Sequence, residues 1–223
     1  MDNETIVSTV TWHLECAAFS AVEIVGIRPP ADGFKMRMHY SLYATNLLGA
    51  VDAIKDGLGP GFETIIENAL PLGGFSGEQV FGYLRELRNG VVHRGGDPTA
   101  GGEVIDELVC ALAPAQVTNR DGKKVYSAPT RLLVDLFRHG DQKVKQVLED
   151  ALESVLSALS SPASQNDVAQ AHDFLKSVEH MPEWVKQGAK QLVCAEMITA
   201  GRRLQCKKLR CLLKMPFGFP QNQ

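Results

Sequence analysis

Apolar residues return every three or four positions over most of this chain, a period that helices can bury and strands cannot. Over residues 4–27, Ile6, Val7, Val10, Leu14, Ala17, Ala18, Ala21 and Val25 keep that spacing until Arg28-Pro29-Pro30-Ala31-Asp32-Gly33 breaks it. A second helix over about 36–58 carries Leu42, Leu47, Ala50, Val51 and Ile54 and stops at Gly59-Pro60-Gly61. A short helix through Ile65, Ile66 and Ala69 ends at Pro71. Ser76 followed by Gln79 reads as a capping box, opening a helix through Val80, Leu84, Leu87 and Val91 that ends at Gly95-Gly96. The glycine-rich run 95–102 follows a helix and has no Gly-Lys-Ser/Thr, so it reads as a connector and not as a phosphate-binding loop.

Past that connector the spacing predicts a helix over about 103–113. Residues 116–126, turning at Asp121-Gly122, then give the one clear strand signal, a small hairpin. Thr130 to Phe137 and Gln142 to Leu159 read as helix, with His139-Gly140 as a break or kink between them. Ser160-Ser161-Pro162-Ala163-Ser164 is the best linker. Beyond it come a helix through Val168, Ala171, Phe174, Leu175 and Val178, and a last one opened by Pro182 and carrying Trp184, Val185, Leu192, Ala195 and Ile198. The expected fold is all-α: a helical bundle over 1–160 with a small β-hairpin insertion, then a helical C-terminal extension over 161–223 with a basic tail.

A chain of 223 residues, 44% hydrophobic and with a mean hydropathy of -0.09, can bury a core without disulfides or a metal. The start Met-Asp-Asn-Glu is acidic where a signal peptide is basic, and His13, Glu15 and Glu23 interrupt the apolar stretch after it. A cytoplasmic protein with no membrane contact is expected. The five cysteines, Cys16, Cys110, Cys194, Cys206 and Cys211, are widely spaced in apolar helical patterns and read as reduced core thiols. No Cys-x-x-Cys pair is present and the histidines are scattered, so neither a metal nor a cofactor is expected. Beyond Glu196 there is no acidic residue, while Arg202, Arg203, Lys207, Lys208, Arg210 and Lys214 lie close together. That segment suits RNA or an acidic partner surface, and equally a C-terminal helix packed on its own acidic domain.

The residues that carry chemistry lie at the end of the fourth helix, in Arg88-Asn89-Gly90-Val91-Val92-His93. At about 100° per residue, Arg88 falls in the apolar sector between Leu84 and Phe81, where a permanent cation is costly unless something anionic or another subunit faces it. Arg85, Asn89 and His93 follow at four-residue intervals on a neighbouring polar stripe, so a phosphate near Asn89 can meet donors from all three. Gly90 in mid-helix costs roughly 1 kcal/mol relative to alanine, which suggests close approach of another backbone or a ligand there.

This pattern resembles the signature of the HEPN superfamily: an arginine, a polar residue often asparagine, three further residues and a histidine near the end of a helix. The matching residues are Arg88, Asn89 and His93, within a resemblance covering about residues 1 to 160. It implies a bundle of four or five helices that dimerises through the motif helix, and a metal-independent endoribonuclease of a toxin, defence or RNA-processing system, with RNA and a homodimer partner and, in toxin systems, an antitoxin. The nucleotidylated branch of the family has a tyrosine two residues past the histidine. Gly95 stands there in this chain, so control by a nucleotidyltransferase partner is not supported.

For such an activity the catalytic candidates are Arg88, Asn89 and His93, with Arg85 and Arg94 as substrate-binding cations. His93 would move protons, Arg88 would hold the scissile phosphate through its planar fork, and Asn89 would orient His93 or bond the phosphate. One histidine does not serve easily as both acid and base, and a two-fold dimer would supply a second. Two other readings stay open. One is a non-catalytic helical module binding RNA, nucleotide or a protein partner. The other is a structural bundle in which His93 caps a helix and Arg88 pairs with a core carboxylate.

Overall fold

The computed structural model describes residues 1–59 and 61–219; Pro60 of the Gly59-Pro60-Gly61 break lies outside the described residues. Among those described there are eight α-helices and two hairpins: α1 (Asn3–Gly26), α2 (Gly33–Leu58), α3 (Gly61–Ala69), α4 (Gly77–Arg94), β1 (Gly102–Ile105), β2 (Leu108–Ala111), β3 (Gln116–Thr118), β4 (Val125–Ser127), α5 (Leu133–Ser160), α6 (Gln165–Ser177), α7 (Glu183–Leu192) and α8 (Ala195–Lys214). None of these helices, among the described residues, is long and apolar enough to cross a membrane. The mainly helical architecture follows the apolar period.

Asp2 and Asp32 start α1 and α2 by accepting backbone N–H groups with their carboxylates. These two helices pair along their length, and α5 lies against α1, α2 and α3. The core fills the seam with Val7, Val10, Leu14, Tyr43, Leu47, Ile54, Leu84, Phe137, Leu148 and Leu152, each at most 2% exposed. It continues past the Ser160–Ser164 segment, because Cys206, Leu209, Leu212 and Leu213 of α8 join it against α1 and α5. By contrast α6 and α7 bury no residue.

A buried polar group ties the C-terminus to this core. Asp141 accepts from the Tyr43 hydroxyl at 3.1 Å and from Lys145 Nζ at 2.8 Å, and Lys145 also donates to the Met215 carbonyl at 2.9 Å. Phe217 then packs edge-on against Tyr43, with ring centroids 5.1 Å apart.

Four expectations are corrected. Residues 103–113 are not helical: β1 and β2 form an antiparallel hairpin with Glu103 opposite Cys110 and Ile105 opposite Leu108. Its turn places Asp106 and Glu107 at φ 46° and 65°, the pair of positive values a tight two-residue hairpin needs but usually takes from Asn or Gly. Second, His139-Gly140 does not interrupt α5, which is continuous from Leu133 to Ser160, with Gly140 facing Leu47 and Leu84 in the core. Third, the last predicted helix is two. The chain is extended at Val193 and Cys194, and α8 then runs back along α1 and α5, where its Thr199 hydroxyl accepts from the Ala163 N–H at 2.8 Å. Fourth, the five free cysteines are not all core thiols. Cys206 and Cys110 are buried, the latter in a strand, whereas Cys16 is half-buried and Cys194 and Cys211 are exposed.

Candidate functional site

The site grows from α4. The Ser76 hydroxyl accepts the Gln79 N–H at 3.3 Å while the Gln79 side chain accepts the Ser76 N–H at 2.8 Å, completing the capping box. At the other end Gly95 adopts φ 65°, and the Gly95 and Gly96 N–H groups both turn back to the Gly90 carbonyl. Arg37 of α2 donates to the Gly95 carbonyl at 2.8 Å, so the end of the motif helix is pinned to the bundle.

The β3–β4 hairpin packs on the outer side of α4. The ring of Tyr126 lies so close over Gly82 that a Cβ there would run into it. This docking carries the Asn119–Lys124 turn to the C-terminal half of α4, where Arg94 donates to the Thr118 carbonyl at 3.1 Å and to the Glu86 carbonyl at 3.1 Å. In doing so Arg94 folds across Gly90, its guanidinium 3.4 Å from where a Cβ would sit. That is ordinary contact with the end of a flexible side chain, so the expected close approach at Gly90 is not seen among the described residues.

Between α4 and the hairpin turn lies a cavity of about 450 Å³ lined by Glu86, Asn89, His93, Arg94 and Arg120. His93 is exposed and makes no hydrogen bond among the described residues. Asn89 donates weakly to Glu86 Oε1, at 3.4 Å. Arg94 Nη1 stands 3.7 Å from Glu86 Oε2, and the Glu86 side chain is 9% exposed. An exposed imidazole, an amide, two guanidiniums and one buried carboxylate therefore share one water-accessible space, a set able to hold a phosphate and transfer protons.

Three of the five sequence candidates, Asn89, His93 and Arg94, meet in this cavity; Arg85 and Arg88 are turned elsewhere in a single chain. Arg88 donates to Asp52 of α2 at 2.8 Å, its side chain 18% exposed. Arg85 donates to Glu63 at 2.6 Å and lies over the Phe81 ring, 5.6 Å from its centroid. Lys55 bonds the same Glu63, and these two cations hold that carboxyl below its ordinary range despite its partial burial. Two residues of the cavity, Glu86 and Arg120, were not among the candidates. Glu86 is two helical turns before His93, so the wheel already places it on the same side. Arg120 left no signal beyond being a cation at a hairpin tip.

The basic C-terminal helix is mostly self-paired. Arg202 bonds Glu4 and Asp167, Lys208 meets Glu15 at 2.5 Å, and Arg210 and Lys214 face Glu153 and Glu149 at 3.6 and 3.5 Å. Arg203 reaches the Ser160 carbonyl, and Lys207 makes no ion pair among the described residues. Comparison with protein-family models, with curated proteins and with solved structures gives no match.

Proposed function

We propose that this chain is a HEPN-type, metal-independent endoribonuclease that acts as a homodimer. The observation that carries the reading is the cavity in which His93 stands free beside Asn89, Arg94 and Arg120 at the end of α4. Cleavage of RNA without a metal needs proton transfer at the ribose 2′-hydroxyl and at the leaving oxygen, together with cations for the charge that builds on phosphorus. This set supplies both kinds of group.

Helix geometry supports the dimer. Five residues at about 100° each separate Arg88 from His93 by about 140° around α4, so one chain cannot bring both to the same phosphate. A two-fold axis beside the helix can, by setting Arg88 of one protomer against the His93 cavity of the other. The Arg88 side of α4 carries Val92, 49% exposed one turn further on. That surface suits contact with a second copy.

The second reading is a non-catalytic module binding RNA, nucleotide or a protein partner such as an antitoxin. It is favoured by one observation: Arg85 and Arg88 are both already held by carboxylates of their own chain. Incubating purified protein with single-stranded RNA in EDTA separates the two. Cleavage leaving 2′,3′-cyclic phosphate ends, and no cleavage of DNA, is the result the ribonuclease reading expects. Intact RNA leaves the binding module.

A further inference from the structure

Glu86, Asn89 and His93 rise from one side of α4 into the same cavity, at intervals of three and four residues. The Glu86 carboxylate is unusual among them. It is nine-tenths buried, yet no hydrogen-bond donor among the described residues reaches its Oε2. Asn89 touches only Oε1, at 3.4 Å, and Arg94 at 3.7 Å balances the charge without bonding the oxygen. Leaving a buried acceptor unsatisfied costs about 1–3 kcal/mol, and such atoms are few in folded proteins. The remaining charged groups of the cavity are His93 on α4 and Arg120 on the hairpin turn, and neither bonds this oxygen. Oε2 lacks a donor but is closed to solvent in the free chain, so a ribose hydroxyl reaches it only once the Asn89 or Arg94 side chain beside it turns toward a bound phosphate.

Resting on the ribonuclease reading above, we propose that Glu86 is the general base of the cleavage and His93 the general acid. The Glu86 carboxylate takes the proton of the 2′-hydroxyl, and the 2′-oxygen forms its bond to phosphorus. The bond from phosphorus to the 5′-oxygen breaks, and the protonated His93 gives its proton to that oxygen. The products are a 2′,3′-cyclic phosphate and a 5′-hydroxyl, with no other reactant. The carboxylate facing a guanidinium accepts, and the exposed imidazole donates. A complete acid–base pair then sits in one chain, and the partner subunit is needed for its Arg88 alone.

A substrate with sulphur in place of the bridging 5′-oxygen tests this, because a thiolate leaves without an acid. His93→Ala is expected to lose about 10²-fold on the oxygen substrate and to approach the wild-type rate on the sulphur one. Glu86→Gln is expected to lose about 10²-fold on both, with RNA binding and thermal midpoint close to wild type. Wild-type rates in Glu86→Gln, or its rescue by sulphur, would overturn the assignment. Glu86→Asp keeps the charge beside Arg94 and serves if the glutamine variant does not fold. Its carboxylate is drawn back by one methylene, so a loss of about tenfold on both substrates is expected, and wild-type rates would again overturn the proposal. A wild-type protein that cleaves neither substrate defeats the ribonuclease reading instead.

Discussion

Arg88 shows how far single residues can be read. A guanidinium placed by the wheel between Leu84 and Phe81 has to meet an anion or another chain, and the anion is Asp52. The sequence announces the misfit but not the partner, which lies 36 positions earlier and depends on how α2 packs on α4. Arg120 was illegible for the same reason, since its place follows from the docking of Tyr126 over Gly82. An ion pair with a half-exposed Asp52 contributes at most about 1 kcal/mol, so Arg88→Ala is expected to move the thermal midpoint little. Under the proposed chemistry, His93→Ala and Arg88→Ala should each lower RNA cleavage in EDTA by about 10²-fold or more, and Asn89→Ala by less. Initial rates on a labelled RNA check this, and wild-type rates in either of the first two variants would remove that residue from the chemistry.

At the scale of elements, the long helices were legible because periodicity, caps and glycine stops agree, as at Ser76, Gln79 and Gly95. The β1–β2 hairpin was not. Glu103, Asp106 and Glu107 repeat at helical intervals, and the turn uses Asp and Glu at positive φ where sequence reading looks for Asn-Gly. The β3–β4 hairpin did carry that signal, with Gly122 at φ 71°. Its seat on α4 gives a prediction. Gly82→Ala forces the Tyr126 ring aside and should cost about 1–3 kcal/mol, the scale of overpacking a close contact, read as a lower midpoint in urea. An unchanged midpoint would mean that the hairpin does not depend on that approach.

The α6–α8 segment has its own pH dependence. Arg202 and Ser164 bond Asp167 and hold its carboxyl far below the ordinary value of 3.8. A group lowered in the fold stabilises it above the unfolded value and loses that contribution as pH falls toward the folded one. Asp141 runs the other way: burial raises its carboxyl against the pull of Lys145 and Tyr43, so its contribution is fully present in acid and lost as pH rises. Between about pH 5 and pH 3, amides of 165–177 should therefore lose protection from hydrogen exchange while those of 133–160 hold. Equal loss in both would contradict the distinction.

For the whole molecule, the mainly helical build was legible from the sequence, but the company of His93 was only partly so: Arg85 shares its stripe on the wheel yet is held by Glu63, while Glu86 and Arg120 share the cavity. The division of the chain is less simple than a bundle with an extension, because α8 shares the core while α6 and α7 bury nothing. The basic tail shows why charge runs resist reading from sequence: Glu4, Glu15, Glu149, Glu153 and Asp167 come from three other helices to meet it. In the proposed dimer, one active site takes His93 from one protomer and Arg88 from the other. The most direct measurement mixes His93→Ala protein with Arg88→Ala protein, lets subunits exchange, and reads RNA cleavage in EDTA. A mixed dimer holds one site with both residues intact, so a 1:1 mixture of two nearly inactive proteins should recover about a quarter of the wild-type rate, half of the dimers being mixed and each having one good site of two. Activity no higher than the average of the two variants, after light scattering has shown that they exchange as dimers, would contradict the shared site.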